Sequence, residues 1–330
     1  MDLDRLTGVL LGTAIGDALG LPMEGMSARG VARTFPRIDR YFWLGRTGFV
    51  SDDTEQSALV AQSLKAHGNE VRAFRRALLG WFARLPWGIG LGTLRACLKI
   101  AVGVKKSGVC SAGNGAAMRA AIVGAYFCDD AEKRRSHSDA IATVTHLDPR
   151  AIDGARFVAE IAAQCVNDAV DVTEASKVLR DPRMIAAIDR AIDLARRSVS
   201  TTDAARELGN TGYVVCSVAL ATFCFLRFKS DPLEALAETI RAGGDTDSNA
   251  AIVGAWVGGL HGAAALPADL VERLHDGPFG PTHLRALAAD LASSGPPKAK
   301  FSAFLALARN LALFPVALAH AVRVLFRRSV

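Results

Sequence analysis

An all-α fold over residues 1–295, organised as one domain, is predicted by three observations. Apolar residues recur at helical spacing in segment after segment. Alternating strand patterns closed by hairpin turns are missing. The chain of 330 residues is 50% hydrophobic, rich in alanine and glycine, with a mean hydropathy of +0.22, which suits a large core of closely packed helices. That composition also excludes a disordered chain.

Taken in order, helices are expected over 5–20, 55–67, 70–84, 115–127, 151–169, 183–197, 213–228, 232–241, 248–262 and 282–293. Asp231-Pro232 gives one of them an N-cap followed by proline at the first helical position. Glycine-rich or polar joints separate them at Gly45 to Asp53, Lys105 to Gly115, His146 to Gly154 and Ala242 to Asp247. Functional groups of helical proteins concentrate in such loops. Pro296-Pro297 ends the body. Two short amphipathic helices, 301–314 and 316–328, are expected beyond it, broken at Pro315.

The apolar stretch Leu6 to Leu21 contains Asp17 and follows Asp2 and Asp4, unlike a secretory leader. An uncharged apolar run of about 18 residues is missing, so a membrane span is not expected. Cys97, Cys110, Cys128, Cys165, Cys216 and Cys224 form no CxxC pair and read as buried, reduced thiols of a cytoplasmic protein. The net charge of +6 resides in residues 297–330, which hold Lys298, Lys300, Arg309, Arg323, Arg327 and Arg328 and no acid. The remainder is neutral, so no nucleic-acid partner is expected. The basic, apolar segment 296–330 suits either peripheral contact with an anionic inner membrane surface or docking and oligomer contact.

Ser51-Asp52-Asp53-Thr54 and Asp245-Thr246-Asp247-Ser248 each place two carboxylates and hydroxyls where a helix begins. Either cluster taken singly is explained by capping, and Asp52 with Glu55 has capping-box spacing. Taken together they suggest more. The helices that follow are apolar (Ala58, Leu59, Val60; Ala250, Ala251, Ile252, Val253), and grouped carboxylates at a buried helix mouth call for cations. Oxygen ligands of this kind suit Mg²⁺ or Mn²⁺ rather than zinc. On pattern alone the reading ends at an oxygen-ligated metal site of a hydrolase. Asp17, inside an apolar helix, reads as a hydrogen-bonded structural acid, and Trp81 and Trp87 read as packing residues. His67, His137, His261, His275, His283 and His320 show no metal spacing.

Five motifs in order resemble the ADP-ribosylglycohydrolases, a family that includes dinitrogenase-reductase-activating glycohydrolases and ADP-ribosylarginine hydrolases. Gly8-Val9-Leu10-Leu11-Gly12-Thr13-Ala14-Ile15-Gly16-Asp17-Ala18-Leu19-Gly20, with Pro22 and Glu24, is similar to their opening. Ser51 to Thr54 resembles their first metal motif and Ser111-Ala112-Gly113-Asn114-Gly115-Ala116-Ala117-Met118-Arg119 their glycine-rich loop. Thr145-His146 with Asp148, and Gly243-Gly244-Asp245-Thr246-Asp247-Ser248-Asn249, resemble the two that follow. Gly254 to Pro267 resembles the close of the fold. The resemblance implies a dinuclear Mg²⁺ or Mn²⁺ centre held by Ser51, Asp52, Asp53, Asp245, Asp247 and Ser248. It implies Glu24, Asp53 and Asp245 nearest the chemistry. Glu24, Ser111, Gly113, Asn114, Gly115 and His146 would contact the substrate, the glycine loop offering N–H groups to its diphosphate. Ser51 and Ser248 stand where the family commonly has threonine, which keeps the oxygen and loses χ1 stiffness. The implied reaction is hydrolysis at C1″ of an ADP-ribose unit linked to a protein side chain, arginine above others. The alternatives are hydrolysis of a small derivative such as O-acetyl-ADP-ribose and silent binding of ADP-ribose.

Overall fold

Asp2 starts the first helix by accepting the backbone N–H groups of Asp4 and Arg5, two donors that helical geometry leaves without partners. The structure, a computed structural model, describes residues 2–328, with the side chains of all but 317 and 320–328. The helices are α1 (Leu3–Gly20), α2 (Ala28–Thr34), α3 (Asp52–Leu64), α4 (Glu70–Phe82), α5 (Leu91–Ala101) and α6 (Ala121–Tyr126). Then come α7 (Ala131–Ala142), α8 (Pro149–Val166), α9 (Val172–Ser176), α10 (Pro182–Arg196), α11 (Thr201–Leu208) and α12 (Val214–Phe228). The last are α13 (Pro232–Arg241), α14 (Thr246–His261), α15 (Ala268–Glu272), α16 (Pro281–Ala292) and α17 (Ala303–Arg328). Among the described residues no strand is present, and the fold is all-α.

Most expected helices are found with their ends shifted by a few residues. Asp231 caps α13 through the N–H groups of Leu233 and Glu234, with Pro232 beside it. Three expectations are corrected. Residues 115–127 do not form one helix. A 3-10 turn (Asn114–Ala116) comes first, because the Gly115 carbonyl accepts from Arg119 Nη1 (2.6 Å). The tail is one helix through Pro315, not two. Proline removes the N–H that would bond the Leu311 carbonyl, but Leu311 is 55% exposed and water can serve it. Glu55 does not close a capping box. Ser51 is the N-cap, and Glu55 turns away to pair with Trp81 and Arg309. Of the cysteines, all free, Cys97, Cys165 and Cys224 are buried as expected, whereas Cys128 and Cys216 are half-buried and Cys110 is exposed.

The fold centres on α1 and α14. Residues Leu3–Met23 are long and apolar enough to cross a membrane, despite Asp17, yet the most apolar stretch lies wholly inside the protein. Gly8, Gly12 and Gly16 of α1 face Gly258, Gly254 and Ala250 of α14 so closely that a Cβ on any of the three would lie 2.0 Å from a carbonyl oxygen. The two helices therefore run antiparallel with their backbones touching. Trp256 of α14 fills the far side, against Phe157 of α8 and Phe225 of α12, and donates its N–H to the Val158 carbonyl. This packing fixes the start of α14 against the end of α1.

The first half of α17 docks on the body. Ala306, Asn310 and Leu313 are buried, Asn310 Nδ2 donates to the Arg84 carbonyl (2.9 Å), and Arg309 donates to the Pro278 carbonyl (2.9 Å). The Arg309–Glu55 ion pair has side chains only 7% and 3% exposed. The expected faces bearing Val322, Leu325, Phe326, Arg323, Arg327 and Arg328 lie outside the described side chains. Arg309→Ala should cost about 3–5 kcal/mol in urea unfolding, because Glu55 would be left charged and buried. Adding Glu55→Gln should recover part of that loss, and additive losses would refute the coupling.

Candidate metal centre and substrate cleft

Asp17 is the first organising residue. Its fully buried carboxylate accepts the N–H of Ser51 (2.9 Å), the N–H of Thr54 (3.1 Å) and the hydroxyl of Thr54 (2.5 Å). It thus caps α3 from α1, the structural role expected of it, and fixes Asp52 and Asp53 in the first turn of α3. Burial raises its pKa above the ordinary value, opposed by these hydrogen bonds.

The second cluster is positioned by a glycine turn. Gly243 and Gly244 take positive φ values of 68° and 80°, which L side chains rarely adopt. The turn lets the Asp245 N–H reach the Asn210 carbonyl at 2.7 Å. Asp247 and Ser248 follow in the first turn of α14, which α1 holds beside α3.

The two clusters meet. Ser248 Oγ donates to Asp53 Oδ2 at 3.2 Å across 195 positions of sequence, and Ser51 Oγ lies 3.3 Å from the same oxygen. Glu24, in the turn after α1, lies with Asp245 and Asp247 so that one oxygen from each falls within 4.8 Å of the others. Burial, and then the neighbouring carboxylates, push Asp52, Asp53 and Asp247 well above the ordinary carboxylate range. Asp245 is raised by burial too, opposed by hydrogen bonds from Asp247, Asn114 and Ser248. Asp53 Oδ1 and Asp247 Oδ1 are buried with no hydrogen-bond partner among the described residues. Buried carboxylate oxygens without partners are costly unless a cation satisfies them. The donor set is entirely oxygen, and it fits a hard divalent ion.

A cleft of about 480 Å³ opens above these acids. Glu24, Asp52, Asp245, Asp247, Ser248, Ser111, Gly113, Asn114, Gly115 and His146 line it, so the expected substrate residues and most of the expected ligands share one cleft. Ser51 and Asp53 are buried and do not line the cleft. Isolated bridges Gly113–Tyr213 and Val109–His146 tie the loops together. The glycine loop differs from the expectation in one respect. The N–H of Asn114 is spent on the Gly212 carbonyl (3.0 Å) and that of Gly113 on Ser111 Oγ (3.3 Å), so neither is free for an anion. Asn114 Nδ2 instead anchors Asp245 (2.6 Å) and Ser217 (2.8 Å).

Sequence reasoning missed the support beneath the cleft. Gln56 Nε2 donates to Asp52 Oδ2 (2.8 Å), and Gln56 Oε1 accepts from the buried Arg119 (2.8 Å). Arg119 also donates to Thr145 Oγ1 (2.5 Å), which lies 2.7 Å from His146 Nδ1. The Thr145 hydroxyl thus accepts from the guanidinium on one side, lies 3.5 Å from the Ala142 carbonyl on another, and holds the His146 ring through Nδ1. That leaves Nε2 on the side of the cleft, with room beside it because residue 92 is glycine: a Cβ there would lie 2.8 Å from Nε2. Gly88, Gly90 and Thr93 also line the cleft, whereas Trp87 stacks on Trp43 (5.8 Å) as a packing residue. Arg119 was signalled only as the last residue of the glycine-loop motif.

Burial and the nearby Arg119 lower the His146 pKa to about 3. Its imidazole should stay neutral from pH 5 to 8. ¹H–¹⁵N NMR of the ring should show one protonated nitrogen, with no titration across that range. A midpoint near 6.5 would overturn the buried environment.

The ADP-ribosylglycohydrolase family model matches residues 1–299. An uncharacterized protein of Archaeoglobus fulgidus is 32% identical over 84% of this chain and 93% of its own length. ADP-ribosyl-[dinitrogen reductase] glycohydrolase of Rhodospirillum rubrum is 26% identical over 82% of this chain and 90% of its own. A solved structure described as an ADP-ribosylglycohydrolase-related protein complex shares the fold, with a TM-score of 0.71 at 24% identity over 88% of this chain and 97% of its own. With the family model spanning both acidic clusters and the cleft above them, the chain belongs to the ADP-ribosylglycohydrolase family.

Proposed function

We propose that the protein is a divalent-metal-dependent hydrolase that removes ADP-ribose from a modified protein side chain, arginine above others. The observation that carries the reading is the 3.2 Å contact between Ser248 Oγ and Asp53 Oδ2, which joins two distant acidic motifs beneath one cleft. Ser51, Asp52, Asp53, Asp245, Asp247 and Ser248 would hold two Mg²⁺ or Mn²⁺ ions, a reading supported by the partnerless oxygens of Asp53 and Asp247. When bound, such ions supply positive charge for ribose hydroxyls and acidify water.

The chain's own groups do the rest. In the reaction the bond from C1″ to the acceptor breaks and a bond from C1″ to a water oxygen forms, through an oxocarbenium-like transition state. Water loses a proton to a carboxylate, and the leaving nitrogen gains one. Glu24 is exposed at the cleft mouth, beside Asp245 and Asp247, where it can hold or pass that proton. A carboxylate at the mouth also favours a cationic guanidinium acceptor over a neutral hydroxyl. The Ser111 and Thr93 hydroxyls offer donors to the anionic and sugar portions, and His146 presents a neutral imidazole beside them. The cytoplasm is the proposed location, supported by free cysteines throughout.

The test is release of ADP-ribose from ADP-ribosylarginine peptide, ADP-ribosylserine peptide and O-acetyl-ADP-ribose, with Mg²⁺, with Mn²⁺ and with EDTA. Turnover of the arginine peptide that EDTA abolishes is expected. Metal-independent turnover would overturn the metal reading. ADP-ribose binding without turnover of any substrate would make the protein a binder.

A further inference from the structure

We propose that α17 seats the protein on an anionic phospholipid surface. Over its described side chains the helix is apolar on the side it turns to water. Phe304 is 76% exposed, and Leu305, Leu311, Phe314 and Leu318 are 55–59% exposed. Phe304, Leu311, Phe314 and Leu318 recur at helical spacing and so form one stripe. Ala306, Asn310 and Leu313, on the opposite side, are buried against the body. A surface helix of an ordinary water-soluble domain has the reverse arrangement.

Charge identifies the occupant of that stripe. Residues 297–330 hold six basic residues and no acid, while the remainder of the chain is neutral. Arg309 is spent on Glu55, which leaves Lys298, Lys300, Arg323, Arg327 and Arg328 with no acidic residue in their own segment. Lys298 and Lys300 are exposed just before the stripe begins, and the three arginines follow it in sequence. A hydrophobic strip bracketed by cations matches the boundary between lipid headgroups and acyl chains. A second copy of the helix matches it poorly. Paired coils use opposite charges beside the apolar seam, and two of these segments would bring only like charges together. The docked half of α17 would hold the body against the surface, because Asn310 and Arg309 anchor the helix from the other side.

The experiment uses the full chain, because truncation would strip the buried Glu55 of its partner. Co-sedimentation is measured with phosphatidylcholine vesicles and with phosphatidylcholine–phosphatidylglycerol vesicles, at low and high salt. Leu311→Glu/Phe314→Glu and Lys298→Gln/Lys300→Gln are compared with the parent, since all four residues are exposed and the substitutions should leave the thermal midpoint unchanged. The parent is expected to partition onto the anionic vesicles alone. The double glutamate variant should lose binding at least tenfold, and the double glutamine variant by about twenty-five-fold at low salt, at about fivefold per cation near the surface. Equal binding to neutral vesicles, or full binding by the glutamate variant, would overturn the proposal. So would a parent dimer in light scattering that ignores vesicles and dissociates in the glutamate variant, because the stripe would then be covered by a second copy.

Discussion

Asp53→Asn or Asp247→Asn is expected to abolish turnover and yet raise the thermal midpoint of the metal-free protein. Both acids are buried, each has an oxygen with no hydrogen-bond partner, and both are pushed up first by burial and then by neighbouring carboxylates. Without a cation this arrangement costs folding free energy. Asparagine keeps the shape and removes one charge from the cluster. The metal-dependent gain should vanish in the variants. In the parent, Mn²⁺ at a hundredfold excess over its dissociation constant should add about 2.7 kcal/mol of stability. Turnover should fall by about three orders of magnitude, or about 4 kcal/mol of transition-state stabilisation.

The pH dependence gives the same expectation an independent sign. A carboxyl whose folded pKa is raised keeps its proton in the native state at a pH where the unfolded chain has lost it. Its contribution is neutral below about pH 4 and becomes increasingly destabilising as pH rises toward the folded pKa. The metal-free parent should therefore lose stability relative to Asp53→Asn between pH 5 and 8. Comparing the two cancels the opposing contribution of His146, which is present in both. A constant difference across that range, or metal-free variants less stable than the parent, would show that the carboxylates are not strained.

What was legible in the sequence follows from the range of the interactions involved. The two acidic clusters could be read because helix starts and oxygen ligands are local patterns. Asp231-Pro232 was legible for the same reason. Helix α7 was not, because its residues are mostly polar and it buries Arg134 and Ser138 beside Ile141, leaving no apolar stripe to see. The support of the cleft was hidden for a different reason. Arg119, Gln56 and Thr145 form one hydrogen-bonded chain only after three distant segments have come together. The meeting of the clusters depends on residues that looked like mere motif glycines. Gly8, Gly12 and Gly16 recur every fourth position and make one smooth face on α1, the spacing by which backbones approach closely.

Gly12→Ala should accordingly be among the most destabilising single changes outside the acidic cluster, although alanine is the better helix former. The new Cβ would lie 2.0 Å from the Gly254 carbonyl oxygen and 2.7 Å from its carbon, both backbone atoms of a buried helix that cannot swing aside. Relief requires α1 and α14 to separate, and that separation opens gaps around side chains buried along both helices. A loss of about 4 kcal/mol or more is expected in urea unfolding, the range reserved for core disruption. Since the first turn of α14 carries Asp247 and Ser248, Mn²⁺ binding should weaken even in the fraction that folds. Gly80→Ala is the control. Gly80 lies in α4, and the nearest atom a Cβ there would meet is Arg84 Nη1 at 3.4 Å, the end of a flexible side chain. Removing backbone freedom from the unfolded chain should then stabilise the protein by about 0.5–1 kcal/mol. The same substitution thus has opposite signs at two helical glycines, and equal effects would mean that α1 and α14 do not touch backbone to backbone at Gly12.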